Sequence, residues 1–219
     1  MSEFFIFSNH HQKYFAKNGQ KISYKKGHYV VTPMDSNPWV YFLESGTVRI
    51  SFSCSDGQER LIGYFIPGMT FAQSGSFFDQ DSGGLEYVAD SNIVVYRIPR
   101  QDFLQQITKD MDFNADYVNG LLRNQLYLVD RIVYQGEKRV YLRCVRWLLL
   151  MAKFYGVSSK KGSTIGVQMT QDTIANFLNT TRESVSGCFS ELKKSGLVSV
   201  NHKTITITDL GKLRQQLNL

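Results

Sequence analysis

A chain of 219 residues with 42% hydrophobic and 20% charged side chains has the apolar mass for one or two cored domains, which excludes a disordered chain. Three cysteines, Cys54, Cys144 and Cys188, with no CxxC spacing exclude a disulfide scaffold and argue against a zinc knuckle or an iron–sulfur cluster. The net charge of +6 is unevenly spread, with 13 Lys and Arg against 5 Asp and Glu from Glu137 onward, so an anionic partner is expected at the C-terminal third. The N-terminal segment lacks the long apolar core of a signal peptide, and the apolar run Trp147–Ala152 is too short to cross a bilayer. The expectation is a cytoplasmic protein without a membrane span.

From Lys21 to about Pro99 the pattern is β. Alternating runs at Val40–Leu43, Thr47–Phe52, Arg60–Phe65 and Ile93–Ile98 are separated by turn signals at Gly27, Gly46, Gly57, Gly68 and Gly83-Gly84. Many short strands with regular turns predict a barrel, roll or sandwich. The first twenty residues are expected to form a short helix or coil packed outside it.

The period then changes. Pro99–Ile107 predicts a short helix, and Asp110 to about Tyr134 predicts a long one without proline. Val118, Leu122, Gln125, Val129 and Ile132 are spaced 4, 3, 4 and 3, a heptad seam, with Gln125 as its polar break. A second apolar line, Tyr117, Leu121, Leu128 and Ile132, runs beside it. Two stripes on one helix imply two burial partners, the β domain and a second copy of the helix; the alternative is a helix packed within one protomer. Gln135–Arg139, punctuated by Gly136, is the expected hinge, and helical pattern resumes at Val140.

The most specific segment is Met169–Val200. Thr170 is a good N-cap for a short helix Gln171–Leu178 with an apolar face of Ile174, Phe177 and Leu178. Asn179–Thr181 is a tight turn. Thr180-x-x-Glu183 fits a capping box opening a second helix to about Lys194, whose apolar face is Val185, Phe189 and Leu192 and whose stop is Ser195-Gly196. Two short helices joined by a tight turn make a helix-turn-helix. Its second helix exposes Arg182, Glu183, Ser184, Ser186 and Gly187 at the end that enters a major groove, where Arg can bond guanine bidentately and Glu can accept from the cytosine amino group. Leu197–Val200, Asn201-His202 and Lys203–Ile207 form a hairpin, the wing of a winged helix, with His202 and Lys203 at its tip within reach of phosphate. The candidate DNA-contact set is Thr170, Gln171, Thr181, Arg182, Glu183, Ser184, Ser186, Gly187 and Lys203.

From about Gly27 to Leu210 the chain resembles the Crp/Fnr family of bacterial transcription regulators. The resemblance rests on the turn glycines Gly27, Gly46, Gly57 and Gly68, on the long central helix, and on the block Arg182-Glu183-Ser184-Val185-Ser186. It implies an α+β protein: an N-terminal cyclic-nucleotide-binding-like β-roll, a long central dimerisation helix and a C-terminal winged helix-turn-helix. The expected division is 1–109 for the roll that senses an effector, 110–136 for the dimerisation helix and hinge, and 137–219 for the DNA-binding domain. The implied partners are double-stranded DNA with a palindromic operator, a second copy of the chain through Val118, Leu122, Gln125, Val129 and Ile132, and RNA polymerase. Base contacts fall on Arg182, Glu183 and Ser186. The family commonly continues with Arg where this chain has Gly187.

Cyclic-nucleotide members of the family hold the ribose with a Gly-Glu pair and the cyclic phosphate with an Arg. Here no Arg lies between Arg60 and Arg97, so the phosphate would lack its charge-assisted bidentate contact. Cyclic AMP is therefore not expected as the effector. No metal and no resident cofactor are expected, since the first Cys is Cys54 and His28 is the sole His of the β segment from Lys21 to Pro99. By analogy with the family, an effector pocket is expected where the roll meets the central helix, walled by Phe71, Gln73, Ser74, Tyr87, Asn124 and Tyr127 and suited to a neutral or mildly polar organic molecule. The alternatives are a regulator of the same fold without an effector, a cupin-like enzyme, for which the roll has too few His, and a cyclic-nucleotide-binding module, which would lack the winged helix.

Overall fold

The computed structural model describes residues 9–32, 37–54, 59–72, 85–159 and 162–217. The turn signals at Gly57 and Gly83-Gly84 lie outside these residues. The chain divides into two compact units, and the division falls between Leu122 and Arg123, inside one long helix.

The first unit opens with α1 (Asn9–Asn18) and continues through β1 (Gln20–Tyr24), β2 (Tyr29–Val31), β3 (Trp39–Ser45), β4 (Val48–Ser53), β5 (Glu59–Phe65), β6 (Thr70–Phe71), β7 (Leu85–Ala89) and β8 (Ile93–Pro99). The strands form two four-stranded antiparallel sheets, ordered β1-β8-β3-β6 and β2-β7-β4-β5. Gly46, at the turn between β3 and β4, has φ +84°, and a Cβ there would stand 2.4 Å from the Asn92 carbonyl oxygen, so both backbone and space require glycine.

Strand β3 shows how the roll is cored. Tyr41 and Leu43 point to an interior shared with Val31, Val48, Phe71, Tyr87 and Val95, whereas Val40 and Phe42 point the other way, to Phe15, Ile98, Phe103, Phe113 and Tyr117. A strand covered on both faces reads as a continuous apolar run, as Val40–Leu43 does. Helix α1 lies on the outer side as expected, but it also supplies core. Phe15 is fully buried and stacks on Phe42 at 5.6 Å. His11 is fully buried, its ring stacked 4.0 Å from that of Phe113 and its Nε2 3.0 Å from the Phe113 carbonyl oxygen.

Helix α2 (Arg100–Lys109) ends at Asp110, whose backbone is extended and whose carboxylate accepts from the Phe113 N–H at 2.9 Å. That side chain caps α3 (Met111–Gln135), so one residue closes one helix and opens the next. Helix α3 has two opposed faces. Phe113, Tyr117, Tyr127 and Tyr134 are buried. On the other side Val118, Leu121, Leu122, Leu128, Val129 and Ile132 are 43–69% exposed, and Gln125 is exposed among them. The second burial line read from the sequence therefore holds only at Tyr117. Leu121, Leu128 and Ile132 widen the exposed seam, and the buried line is aromatic.

The second unit contains α4 (Val140–Tyr155), β9 (Gly156–Ser159), β10 (Gly162–Ile165), α5 (Gln171–Leu178), α6 (Arg182–Lys194), β11 (Val198–Asn201), β12 (Thr204–Ile207) and α7 (Leu210–Gln215). Its sheet is ordered β11-β12-β10-β9, so the wing hairpin is half of a four-stranded sheet. The β9–β10 hairpin was not anticipated: from Gly156 to Ile165 only Val157 and Ile165 carry apolar side chains, so no alternating run marks its strands. Gly162 has φ +118°, and a Cβ would stand 2.1 Å from the Ile207 carbonyl oxygen, where β10 meets β12. The core of this unit is Trp147, Leu148, Met151 and Phe154 of α4 against Ile174, Phe177, Val185, Leu192 and Ile207. Among the described residues no helix is long and apolar enough to cross a membrane.

Candidate nucleic-acid interface

Helix α5 begins where the Thr170 hydroxyl accepts from the Thr173 N–H at 3.1 Å, as the sequence predicts. Its buried face is Ile174, Ala175, Phe177 and Leu178. Asn179 closes it in the left-handed region at φ +49°, a conformation that Asn tolerates better than most residues. The Thr180 N–H then bonds back to Ala175 O at 3.0 Å, and the chain turns into α6.

The N-cap of α6 is Thr181, one residue later than the predicted Thr180. Its hydroxyl accepts from the Ser184 N–H at 3.2 Å. Thr180 is held in the turn by its bond to α5, and Thr181, at φ −86° and ψ 155°, has the extended backbone of a cap. Ser184 is thereby engaged in the cap, its hydroxyl 3.2 Å from that of Thr181. Glu183 lies in the first turn, and its carboxyl is held below the usual range by hydrogen bonds to its own backbone N–H and then to the Thr181 side chain. A carboxylate at this end also complements the helix dipole.

Helix α6 is anchored by Val185, Cys188, Phe189 and Leu192. That leaves Arg182, Glu183, Ser186 and Gly187 exposed on the outward side of its N-terminal half. The Arg182 guanidinium is 4.0 Å from the Asp172 carboxylate, both side chains largely exposed. Asp172, missed from the sequence, thus sits beside the first residue of α6; the signal was an acidic side chain in the first turn of the preceding helix. Thr170 and Gln171 stand at the N-terminal end of α5, where helical N–H groups favour phosphate.

The wing turns at His202, φ +53°, and Lys203, both exposed. The Lys203 carbonyl accepts from the Met169 N–H at 3.3 Å, which ties the tip of the wing to the residue before Thr170. Behind the motif, the Tyr134 hydroxyl donates to Phe177 O at 3.3 Å and the Arg131 guanidinium lies 5.0 Å over the Phe177 ring, so the end of α3 grips α5. Cys144 of α4 and Cys188 of α6 are free and buried. The hydrogen bond between them, with burial, pushes the Cys144 thiol far up, so it stays a neutral core group.

The expected effector residues fall into two sets. Phe71 and Tyr87 stack at 5.6 Å inside the roll, with Tyr41 at 5.1 Å from Phe71, and burial pushes the Tyr87 hydroxyl up to about 12. Tyr127 belongs to the second unit, where its ring meets Phe154 at 5.2 Å and Tyr155 at 6.2 Å edge-on. Asn124 is half-buried, and Gln73 and Ser74 lie outside the described residues.

Two family models match the chain. One, the cyclic nucleotide-binding domain, covers residues 21–110, and the other, the Crp-like helix-turn-helix domain, covers residues 142–216. The transcriptional regulatory protein btr of Bordetella pertussis is 23% identical over 84% of this chain and 74% of its own length. The global nitrogen regulator of Synechococcus elongatus is 23% identical over 88% of this chain and 87% of its own. A mutant of CooA from Carboxydothermus hydrogenoformans has the same fold, with a TM-score of 0.76 at 22% identity over 91% of this chain and 88% of that one. With a roll of the cyclic-nucleotide-binding type and a Crp-like helix-turn-helix joined in one chain by a long helix, the protein belongs to the Crp/Fnr family of transcription regulators.

Proposed function

We propose that the protein works as a homodimer that reads a two-fold symmetric DNA site with α6, under the control of a small organic effector other than cyclic AMP. The observation that carries this reading is the outward end of α6. Arg182, Glu183 and Ser186 stand exposed together on a helix whose position is set by the α5 turn, in the part of the chain that holds the excess of basic residues. Arg182 is suited to a guanine edge and Glu183 to a cytosine amino group. Thr170, Gln171, Thr181 and Lys203 are the proposed phosphate contacts. The apolar side of α3 supports the dimer, because a wide exposed stripe on a monomer marks a binding surface. A two-fold pair of α6 helices would then reach half-sites about 34 Å apart. Action on RNA polymerase, in the cytoplasm, follows from this reading, and it involves no catalytic step.

The absence of Arg between Arg60 and Arg97 supports an effector without a phosphate anion. Within the first unit the neighbourhood of Phe71 and Tyr87 is its proposed place. A second reading, regulation without any effector, is favoured by the close aromatic packing already made by Phe71, Tyr87 and Tyr127. Calorimetry with cyclic AMP is expected to show no binding; micromolar binding that raises DNA affinity would overturn the choice of effector class.

The DNA reading is tested on sites selected from random duplexes. Arg182→Ala and Glu183→Ala are each expected to lose about 1–3 kcal/mol on the best site and to relax preference at one base pair. Lys203→Ala is expected to weaken all sequences alike and to lower the salt slope by about 1. A selected site bound equally well by wild type and Arg182→Ala would move the readout away from α6.

A further inference from the structure

Gly187 is the sixth residue of α6, one turn beyond Glu183 and exposed. It is not among the glycines at positive φ, so its backbone asks for no special residue. A Cβ built on it meets no heavy atom within 4 Å, in contrast to Gly46 and Gly162, where a Cβ would strike backbone. Neither left-handed backbone nor close packing within the chain accounts for glycine here. A glycine inside a helix nevertheless lowers its stability relative to alanine.

We propose that Gly187 is a specificity-determining residue, its missing side chain admitting the edge of a base pair to the α6 backbone, with a thymine methyl group seated against its Cα. This rests on the reading of α6 as the helix that enters the major groove. In a helix each Cα–Cβ bond tilts toward the N-terminus, so a side chain at 187 would lie over the turn that carries Glu183, on the side presented to the bases. The outward neighbours Ser186 and Ser190 are also small and exposed, and the longer exposed side chains on this face, Glu183 and Glu191, stand one turn to either side of Gly187. Glycine offers no side-chain donor or acceptor, which removes the bidentate guanine contact an arginine would make. The thymine C5-methyl is the base-edge group read by apolar contact.

The experiment selects sites from random DNA with the wild-type chain, then measures binding and thermal melting for wild type, Gly187→Ala, Gly187→Arg and Arg182→Ala. The selected half-site is expected to hold a thymine at one fixed position. Uracil there in both half-sites should lower wild-type affinity about tenfold. Gly187→Ala is expected to melt about 2–4 °C higher, to bind about tenfold more weakly and to lose the thymine preference, while Gly187→Arg shifts preference at that position to guanine. If Gly187→Ala binds the selected site as tightly as wild type and discriminates thymine from uracil equally, the proposal fails. It fails also if lost binding comes with a lowered melting temperature, which would assign the glycine to the fold. Arg182→Ala separates the two ideas: loss of specific binding in Arg182→Ala with Gly187→Ala unchanged refutes the role of Gly187 alone, and no effect of either refutes the reading of α6.

Discussion

Replacing Leu122 by Asp is expected to convert a dimer into monomers. Leu122 is 52% exposed at the centre of the α3 stripe. Burying a whole leucine is worth roughly 1.5–3 kcal/mol, so covering the exposed half contributes about 1 kcal/mol per protomer and about 2 kcal/mol per dimer. The substitution also brings a carboxylate and its two-fold mate into an apolar seam, where desolvation opposes each charge by further kcal/mol. A total loss of at least about 4 kcal/mol raises the dimer dissociation constant about 1,000-fold. Sedimentation velocity at micromolar concentration reads this directly, and Leu122→Met, which keeps volume and polarity, should remain dimeric. Specific DNA binding should fall with the dimer, because one winged helix alone reaches one half-site. A Leu122→Asp chain that sediments as a dimer, or a wild-type chain that sediments as a monomer, would refute the assignment of the stripe to a second copy.

Thr181→Ala should destabilise α6 by about 1 kcal/mol in denaturant unfolding, while Thr180→Ala, at the position first expected to cap, should have a smaller effect; equal losses would contradict the capping register. The burial that lowers the His11 pKa below its ordinary value of 6.5 makes the unfolded chain the better proton acceptor. Stability should therefore fall as pH drops through about 6.5 toward the folded-state value, and His11→Gln should flatten that slope in denaturant melts at pH 7.5 to 5. Asp172→Ala removes the carboxylate 4.0 Å from the Arg182 guanidinium, so binding to all DNA should strengthen a few-fold at low salt, by loss of repulsion from phosphate. Weaker binding would mean that Asp172 instead holds Arg182 in its reading position.

Much of this architecture was legible in residue order, where local chemistry decides it. The alternation and turn glycines predicted β3, β4, β5 and β8 of the roll. The break at Asp110 and the 4-3-4-3 spacing predicted the long helix and its seam, and Thr170, Asn179 and Ser195-Gly196 marked the ends of α5 and α6 correctly. These signals are local because a capping hydroxyl, a left-handed turn and a helical period are properties of neighbouring residues. The cap of α6 slipped by one residue because Thr180 and Thr181 carry the same side chain. Only the backbone bond from Thr180 to Ala175 O decides which one caps. Tertiary structure also settled which aromatic residues of α3 are buried, since Phe113 and Tyr117 meet the helices of the first unit and Tyr127 and Tyr134 those of the second. Hydropathy has no record of what lies opposite a side chain. The β9–β10 hairpin was missed for the same reason. Its short strands become persuasive only once β12 is seen to pair with β10, and such pairing between distant segments is set by the packed sheet, not by the residues of either strand.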